Sequence, residues 1–149
     1  MKKIIVHIDL DCFFVQVEQH KKPELKHKCV AIQQHDDIIA VSYEAKSFGI
    51  KKHDKPSDAM KMCPHLILVH VEKIKGTTKV SYKSYRQASN KIFNFIANKI
   101  PKKNIEKASI DEAFLDVTNI VEKQFNEFTK KGNIFRNIDW KSKMYNGKG

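Results

Sequence analysis

The chain has little of what builds disulfide frameworks, zinc fingers or glycine-rich phosphate loops. Its three cysteines, Cys12, Cys29 and Cys63, are odd in number and form no CxxC pair. That spacing argues against a disulfide framework, suggests no zinc site, and fits free thiols in a reducing compartment. Its seven histidines form no HExxH or comparable ligand spacing. Glycine occurs five times and never as a Walker-type loop. No internal repeat is present, and no apolar run approaches the ~20 residues of a membrane span. The start, Met1-Lys2-Lys3-Ile4-Ile5-Val6-His7-Ile8, opens like a secretory signal, but Asp9 and Asp11 interrupt it too early. These features predict a soluble, intracellular protein.

What is present is a chain of 149 residues, 41% hydrophobic, the size of one ordinary domain. Such a chain buries roughly two-thirds of the surface its unfolded form exposes. Its formal net charge is +11, unevenly spread: 13 Lys/Arg against 10 Asp/Glu in residues 1–75, and 15 against 7 in residues 76–149. A basic surface suits a polyanion such as nucleic acid, although a lysine-rich solvated surface gives the same composition.

Residues 3–10 read as a buried strand with Ile4, Val6, Ile8 and Leu10 on one face. Asp11 is placed to cap a helix over residues 12–20, ended before Pro23. Short strands over 29–32 and 38–42 flank a polar connection, a hairpin signal. A short helix over 43–48 stops at Gly49, and Ser57 is placed to cap a helix ending before Pro64. Residues 66–71 read as a strand. The longest helix spans 78–100, with Val80, Tyr85, Ala88, Ile92 and Ile96 as its apolar stripe. Strands follow over 105–110 and 113–117, and Asn119 with Glu122 makes a capping-box start for another helix. Beyond Lys130, Phe135 and Trp140 are isolated anchors in a Lys/Asn/Gly-rich stretch. Strands and helices that do not strictly alternate predict an α+β fold.

Two acidic clusters carry the chemistry. Asp9-Leu10-Asp11 closes the first strand, and Ser109-Ile110-Asp111-Glu112 forms a tight turn. If the two strands are neighbours, their carboxylates meet at one edge of a sheet. Mg²⁺ takes oxygen ligands of this kind, typically few protein carboxylates plus substrate phosphates. Two such ions can activate a hydroxyl and stabilise a leaving group. Taken singly, Asp11 also reads as a helix cap and Asp111-Glu112 as an exposed turn. Asp9 stands out, because a carboxylate among apolar strand residues is costly without a partner. The amides of Cys12, Phe13 and Phe14 open a helix just beyond it, where a helix N-terminus can hold phosphate.

Three ordered motifs extend this reading. They are Asp9-Leu10-Asp11-Cys12-Phe13-Phe14-Val15-Gln16-Val17-Glu18, Val41-Ser42-Tyr43-Glu44-Ala45-Lys46-Ser47-Phe48-Gly49-Ile50 and Ala108-Ser109-Ile110-Asp111-Glu112-Ala113. Together they resemble the motifs of Y-family translesion DNA polymerases (the UmuC/DinB-like superfamily), and the first is similar to the eta branch. Cys63-Pro64 and Tyr85-Arg86-Gln87-Ala88-Ser89 fit the same branch, and the resemblance covers about residues 4–118.

The resemblance implies a palm-like mixed sheet with a small inserted fingers subdomain: palm over 1–12, fingers over 13–80, palm again over 81–149. It implies that Asp9, Asp111 and Glu112 bind two catalytic Mg²⁺ (or Mn²⁺) ions through side chains, and Leu10 through its carbonyl. Phe14 falls at a steric gate against the ribose 2′-hydroxyl. Tyr43 and Lys46 fall where the fingers touch the triphosphate, Lys46 standing where the branch usually has arginine. Lys52 likewise replaces an arginine over the incoming base, and Gln34 matches a glutamine on the template base. Cys12, Phe13 and Phe14 complete the nucleotide site. The implied partners are a DNA primer-template and deoxynucleoside triphosphates, with no membrane. The implied function is damage bypass and DNA repair in a nucleus. By the same resemblance, a later palm lysine, the thumb, the little finger and any clamp-binding motif lie outside these residues.

Two other readings remain at this point. One is a truncated or degenerate non-catalytic fragment with DNA or nucleotide affinity. The other is a different two-metal enzyme, such as a nucleotidyl cyclase-like protein, against which the Tyr-Glu-Ala-Lys and double-phenylalanine motifs argue.

Overall fold

A computed structural model describes residues 2–130 of the chain. The expected anchors Phe135 and Trp140 lie outside the described residues. The fold is α+β, with two three-stranded sheets among the described residues. The described residues divide into two compact units, residues 7–115 and a second that holds residues 2–6 and 116–130.

Most of the larger unit is built on the sheet β3-β2-β4. Strand β2 (Val30–Gln34) pairs antiparallel with β3 (Asp37–Val41) and parallel with β4 (Ile67–His70). The β2–β3 hairpin is tighter than the sequence suggested. Both strands run into the polar connection, leaving a two-residue turn in which His35 takes φ 51°. Ile32 pairs with Ala40 and Gln33 with Ile38, so Ile39 is an extra residue in the ladder. That bulge lets Ile38 and Val41, three apart, face the same way.

The sheet has apolar cover on both faces. On one, Val30, Ile32 and Ala40 pack with Phe13, Val15 and Val17 of α1 (Phe13–Lys21) and Tyr85 of α4 (Lys83–Ala97). On the other, Ala31, Ile38 and Val41 pack with Ala45 of α2 (Tyr43–Ser47) and Ala59 of α3 (Pro56–Met62). Near-continuous apolar strands are what two covered faces require.

A polar network ties α1 to α4. The buried Glu18 carboxylate accepts from the Tyr85 hydroxyl at 2.8 Å and from Lys21 Nζ at 2.7 Å. Lys21 Nζ also donates to Ser84 Oγ at 2.8 Å. Burial, then the hydrogen bond and charge of Glu18, push the Tyr85 hydroxyl pKa far up, so it stays a donor.

The second sheet has the order β1-β6-β5, formed by β1 (Ile5–Asp9), β6 (Glu112–Asp116) and β5 (Ile105–Lys107). β5 stops at Lys107 rather than 110 because the Ala108 and Ser109 amides both turn back to the Glu112 carbonyl, at 3.0 and 3.3 Å. In the smaller unit, α5 (Thr118–Lys130) begins at Thr118. Its first amide and its hydroxyl donate to Asp116 Oδ1 at 3.1 and 2.6 Å. These hydrogen bonds hold the Asp116 carboxyl below its ordinary range.

Several expectations need correction. The first strand is not buried: Ile4, Ile5 and Val6 are exposed, so both of its faces reach solvent at this end. The long helix starts at Lys83, not 78. Residues before it are held by a bridge from Val80 to Lys73 and by the Ser81 amide on the Glu72 carbonyl at 2.7 Å. Val80 still packs on the core. Asp11 does not cap α1; Cys12 occupies that position in a left-handed conformation, without a side-chain cap. Ser57 does not cap α3, which opens on Pro56 at its first position after Lys55.

Candidate active site

The two acidic motifs come together through the backbone. β1 ends at Asp9 and β6 begins at Glu112, and the amide of Leu10 donates to the carbonyl of Asp111 at 2.9 Å. The second motif is locked by Ser109. Its hydroxyl accepts from the amides of Asp111 and Glu112 at 3.2 and 3.1 Å and donates to Asp111 Oδ1 at 2.6 Å. A serine at this place sets a turn that no apolar residue would hold.

Beside this junction lies a cavity of about 510 Å³. It brings together Asp9, Leu10, Cys12, Phe13, Phe14, Lys46, Lys52 and Asp111. Glu112, Tyr43 and Gln34 are not in its wall. Glu112 is next in chain to Asp111, while Tyr43 lines a neighbouring cleft with its ring 5.0 Å from Lys46 Nζ. Gln34 accepts a hydrogen bond from the Tyr82 hydroxyl. Asp9 is exposed, so a burial cost does not single it out; its position at the strand end does.

The chain bends sharply between the carboxylates and α1. Cys12 has φ 49°, a left-handed conformation that costs a non-glycine residue about 1–2 kcal/mol. This turn directs the start of α1 at the cavity that Asp9 and Asp111 also line. Burial, followed by the hydrogen bond that the thiol donates to Asp11, raises the Cys12 thiol above its ordinary pKa. Lys46 reaches across to Asp11 at 3.5 Å. Burial works to lower the Lys46 ammonium, but its interactions with Cys12 and Asp11 outweigh this and hold it above its ordinary value. It is a cation at neutral pH, facing a cavity that also contains carboxylates.

Phe14 is half-buried at the cavity wall, fixed by other rings. Its centroid is 4.4 Å from Tyr85, 5.9 Å from Tyr82 and 5.8 Å from Phe13. Gly49 ends α2 with φ 87° and also lines the cavity, a place where a side chain would be strained.

Sequence reasoning missed two features. Lys51 lines the cavity, as does Asp11, which the sequence offered both within the acidic cluster and as a helix cap. Cys29, Cys63 and His65 converge elsewhere in the unit, their ligand atoms all within 4.8 Å of one another. The short spacing Cys63-Pro64-His65 was the available signal, but Cys29 joins only through the fold.

Comparison with known proteins accounts for the motifs. Residues 8–143 match the impB/mucB/samB family. The chain is 38% identical over 125 residues to DNA polymerase eta of Arabidopsis thaliana, covering 80% of this chain and 18% of that protein. It is 34% identical over 143 residues to human DNA polymerase iota, covering 91% of this chain and 18% of that protein. With DNA polymerase IV of Mannheimia succiniciproducens it shares 35% over 122 residues, 79% of this chain and 31% of the relative. Thus the chain spans under a third of each of these relatives, and identities to eta, iota and IV are similar. With the family match extending over most of its length, this chain belongs to the impB/mucB/samB family of Y-family DNA polymerases.

Proposed function

We propose that this chain is the metal- and nucleotide-binding part of a DNA-directed DNA polymerase of the translesion type. The observation that carries the reading is the Leu10–Asp111 hydrogen bond, which sets Asp9 and Asp111 in the wall of one cavity with the start of α1 and Lys46. In this reading residues 13–80 act as fingers and the flanking segments as palm.

The donor set fits a hard divalent cation: carboxylate oxygens of Asp9, Asp111 and Glu112 with the Leu10 carbonyl, and no sulfur or imidazole required. Bound Mg²⁺ or Mn²⁺ would supply charge to activate the primer hydroxyl and to stabilise departing pyrophosphate. The chain's own groups do the rest. Amides of Cys12, Phe13 and Phe14 open the nine-residue helix α1 and offer donors to the triphosphate. Lys46 and Lys52 add charge there, as point charges without arginine's planar fork. Phe14 excludes a 2′-hydroxyl by collision, Tyr43 orients Lys46, and Gln34 faces the template base. Damage bypass, nuclear work and any clamp association belong to the whole polymerase in this reading.

The test is calorimetric titration of a deoxynucleoside triphosphate into the 149-residue chain with and without Mg²⁺. Binding should require the cation and weaken at least ~10-fold, about 1.4 kcal/mol, in Asp9→Ala and in Asp111→Ala. Equal affinity in these variants, or binding indifferent to Mg²⁺, overturns the assignment.

A second reading is a non-catalytic member of this family that retains DNA or nucleotide affinity. It shares the binding behaviour and differs only in primer extension.

A further inference from the structure

We propose that Cys29, Cys63 and His65 form a binding site for a soft, tetrahedral divalent cation, Zn²⁺ in chemical class, separate from the carboxylate cavity. Their ligand atoms all lie within 4.8 Å of one another, and Cys29 Sγ is 3.4 Å from His65 Nε2. Bonds of about 2.3 Å to sulfur and about 2.1 Å to nitrogen set tetrahedral ligands about 3.6–3.8 Å apart. No separation among the three atoms need close by more than about 1.2 Å to enclose such an ion.

Rigid elements hold them there. Cys29 precedes β2, and its carbonyl accepts from the amide of Ile67 at 2.9 Å as β4 begins. Cys63 ends α3, its amide bonded to the Ala59 carbonyl at 2.9 Å. Its own carbonyl accepts from Leu66 at 3.0 Å, closing the turn that presents His65. The His65 ring stands edge-on to Phe48, centroids 5.2 Å apart. Both thiols are buried and His65 is exposed, so the ion has an entry path and a fourth position for water. Thiolate and imidazole favour Zn²⁺ over Mg²⁺, which takes oxygen. The ion would fasten α3 to the sheet β3-β2-β4, stabilising this subdomain as structural zinc does elsewhere.

The test uses the full 149-residue chain, stripped with chelator, reduced with a phosphine and titrated with Co²⁺. Expected is one equivalent bound, with thiolate-to-cobalt charge-transfer absorption and tetrahedral d–d bands that Zn²⁺ abolishes. His65→Ala, an exposed change that leaves the circular dichroism intact, should weaken Co²⁺ at least ~10-fold and remove the rise in melting temperature given by Zn²⁺. Cys12→Ser should retain the bands. Absence of a thiolate–cobalt band, or equal affinity in the wild type and His65→Ala, overturns the proposal. Neither result bears on Mg²⁺-dependent nucleotide binding, so the two assignments fail independently.

Discussion

The amide of Leu10 donates a 2.9 Å hydrogen bond to the carbonyl of Asp111. Through this bond, motifs from near the start and the end of the larger unit meet where β1 ends and β6 begins. Ser109 then sets the conformation of the second motif, so that the Asp111 side chain is held by its own turn. A one-residue slip in this pairing would break the bond that brings the Asp9 motif to the Asp111 motif.

Phe14 should discriminate sugars. Its ring is fixed against Tyr85 and Tyr82, so it can reject a 2′-hydroxyl without moving away. We predict that Phe14→Ala narrows the preference for dATP over ATP by roughly tenfold, about 1.4 kcal/mol, in Mg²⁺-dependent titrations. An unchanged ratio would leave Phe14 a packing residue of the aromatic cluster.

Tyr85 should matter for stability through its hydroxyl. Tyr85→Phe keeps the ring but leaves the buried Glu18 carboxylate with Lys21 as its remaining hydrogen-bond donor among those described here. Loss of one partner from a buried charged group costs about 1–3 kcal/mol. Urea unfolding should show a lower midpoint at unchanged slope, with Glu18→Gln recovering part of the loss in the double variant. Equal midpoints for wild type and Tyr85→Phe would show that the hydroxyl contributes nothing.

Much of this architecture was legible in the sequence because it rests on local signals. Pro23, Gly49 and Pro64 mark real boundaries, and the polar run around His35 marks a real hairpin. The acidic motifs were legible as strand ends. What escaped is set by long-range pairing. Val80 keeps the helical step yet is drawn into a bridge with Lys73, and Asp11 has a capping residue's chemistry yet faces Lys46. Exposure of Ile5 and Val6 could not be read from their alternation, which is silent about what covers the strand. Cys29 meets Cys63 and His65 only because β2 and β4 run parallel.

DNA binding should be electrostatic. Lys99, Lys102 and Lys103 crowd the end of α4 and the turn after it, all exposed. Each phosphate contact releases counterions, so log affinity should fall linearly with log salt. Fluorescence anisotropy on duplexes of different sequence should give one affinity, and alanine at a contacting lysine should lower the salt slope by about 1. Affinity that holds between low and physiological salt would refute this account.

The last prediction separates the two readings of function. The 149-residue chain alone should bind nucleotide yet extend a primer immeasurably slowly. Its carboxylates, helix start and lysines share one cavity, which suffices for a triphosphate. Transfer asks more, because the primer hydroxyl must be held in line with the α-phosphate. Positioning of that kind is worth about 7–11 kcal/mol of barrier. A loss of 7 kcal/mol alone slows a reaction by about five powers of ten. The chain spans 18% of the eta relative, and the grip on duplex DNA is assigned here to the remainder of such a polymerase. The measurement is primer extension with Mg²⁺ on the purified chain, with an Asp111→Ala/Glu112→Ala control. The same assay is then run on the chain joined to the remaining domains of a relative. Extension only by the joined protein, lost in its double variant, supports a catalytic palm that needs external positioning. Joined protein that stays inactive while binding nucleotide supports the non-catalytic reading. Robust extension by the short chain, absent from the control, would show that the cavity and its lysines position the primer unaided.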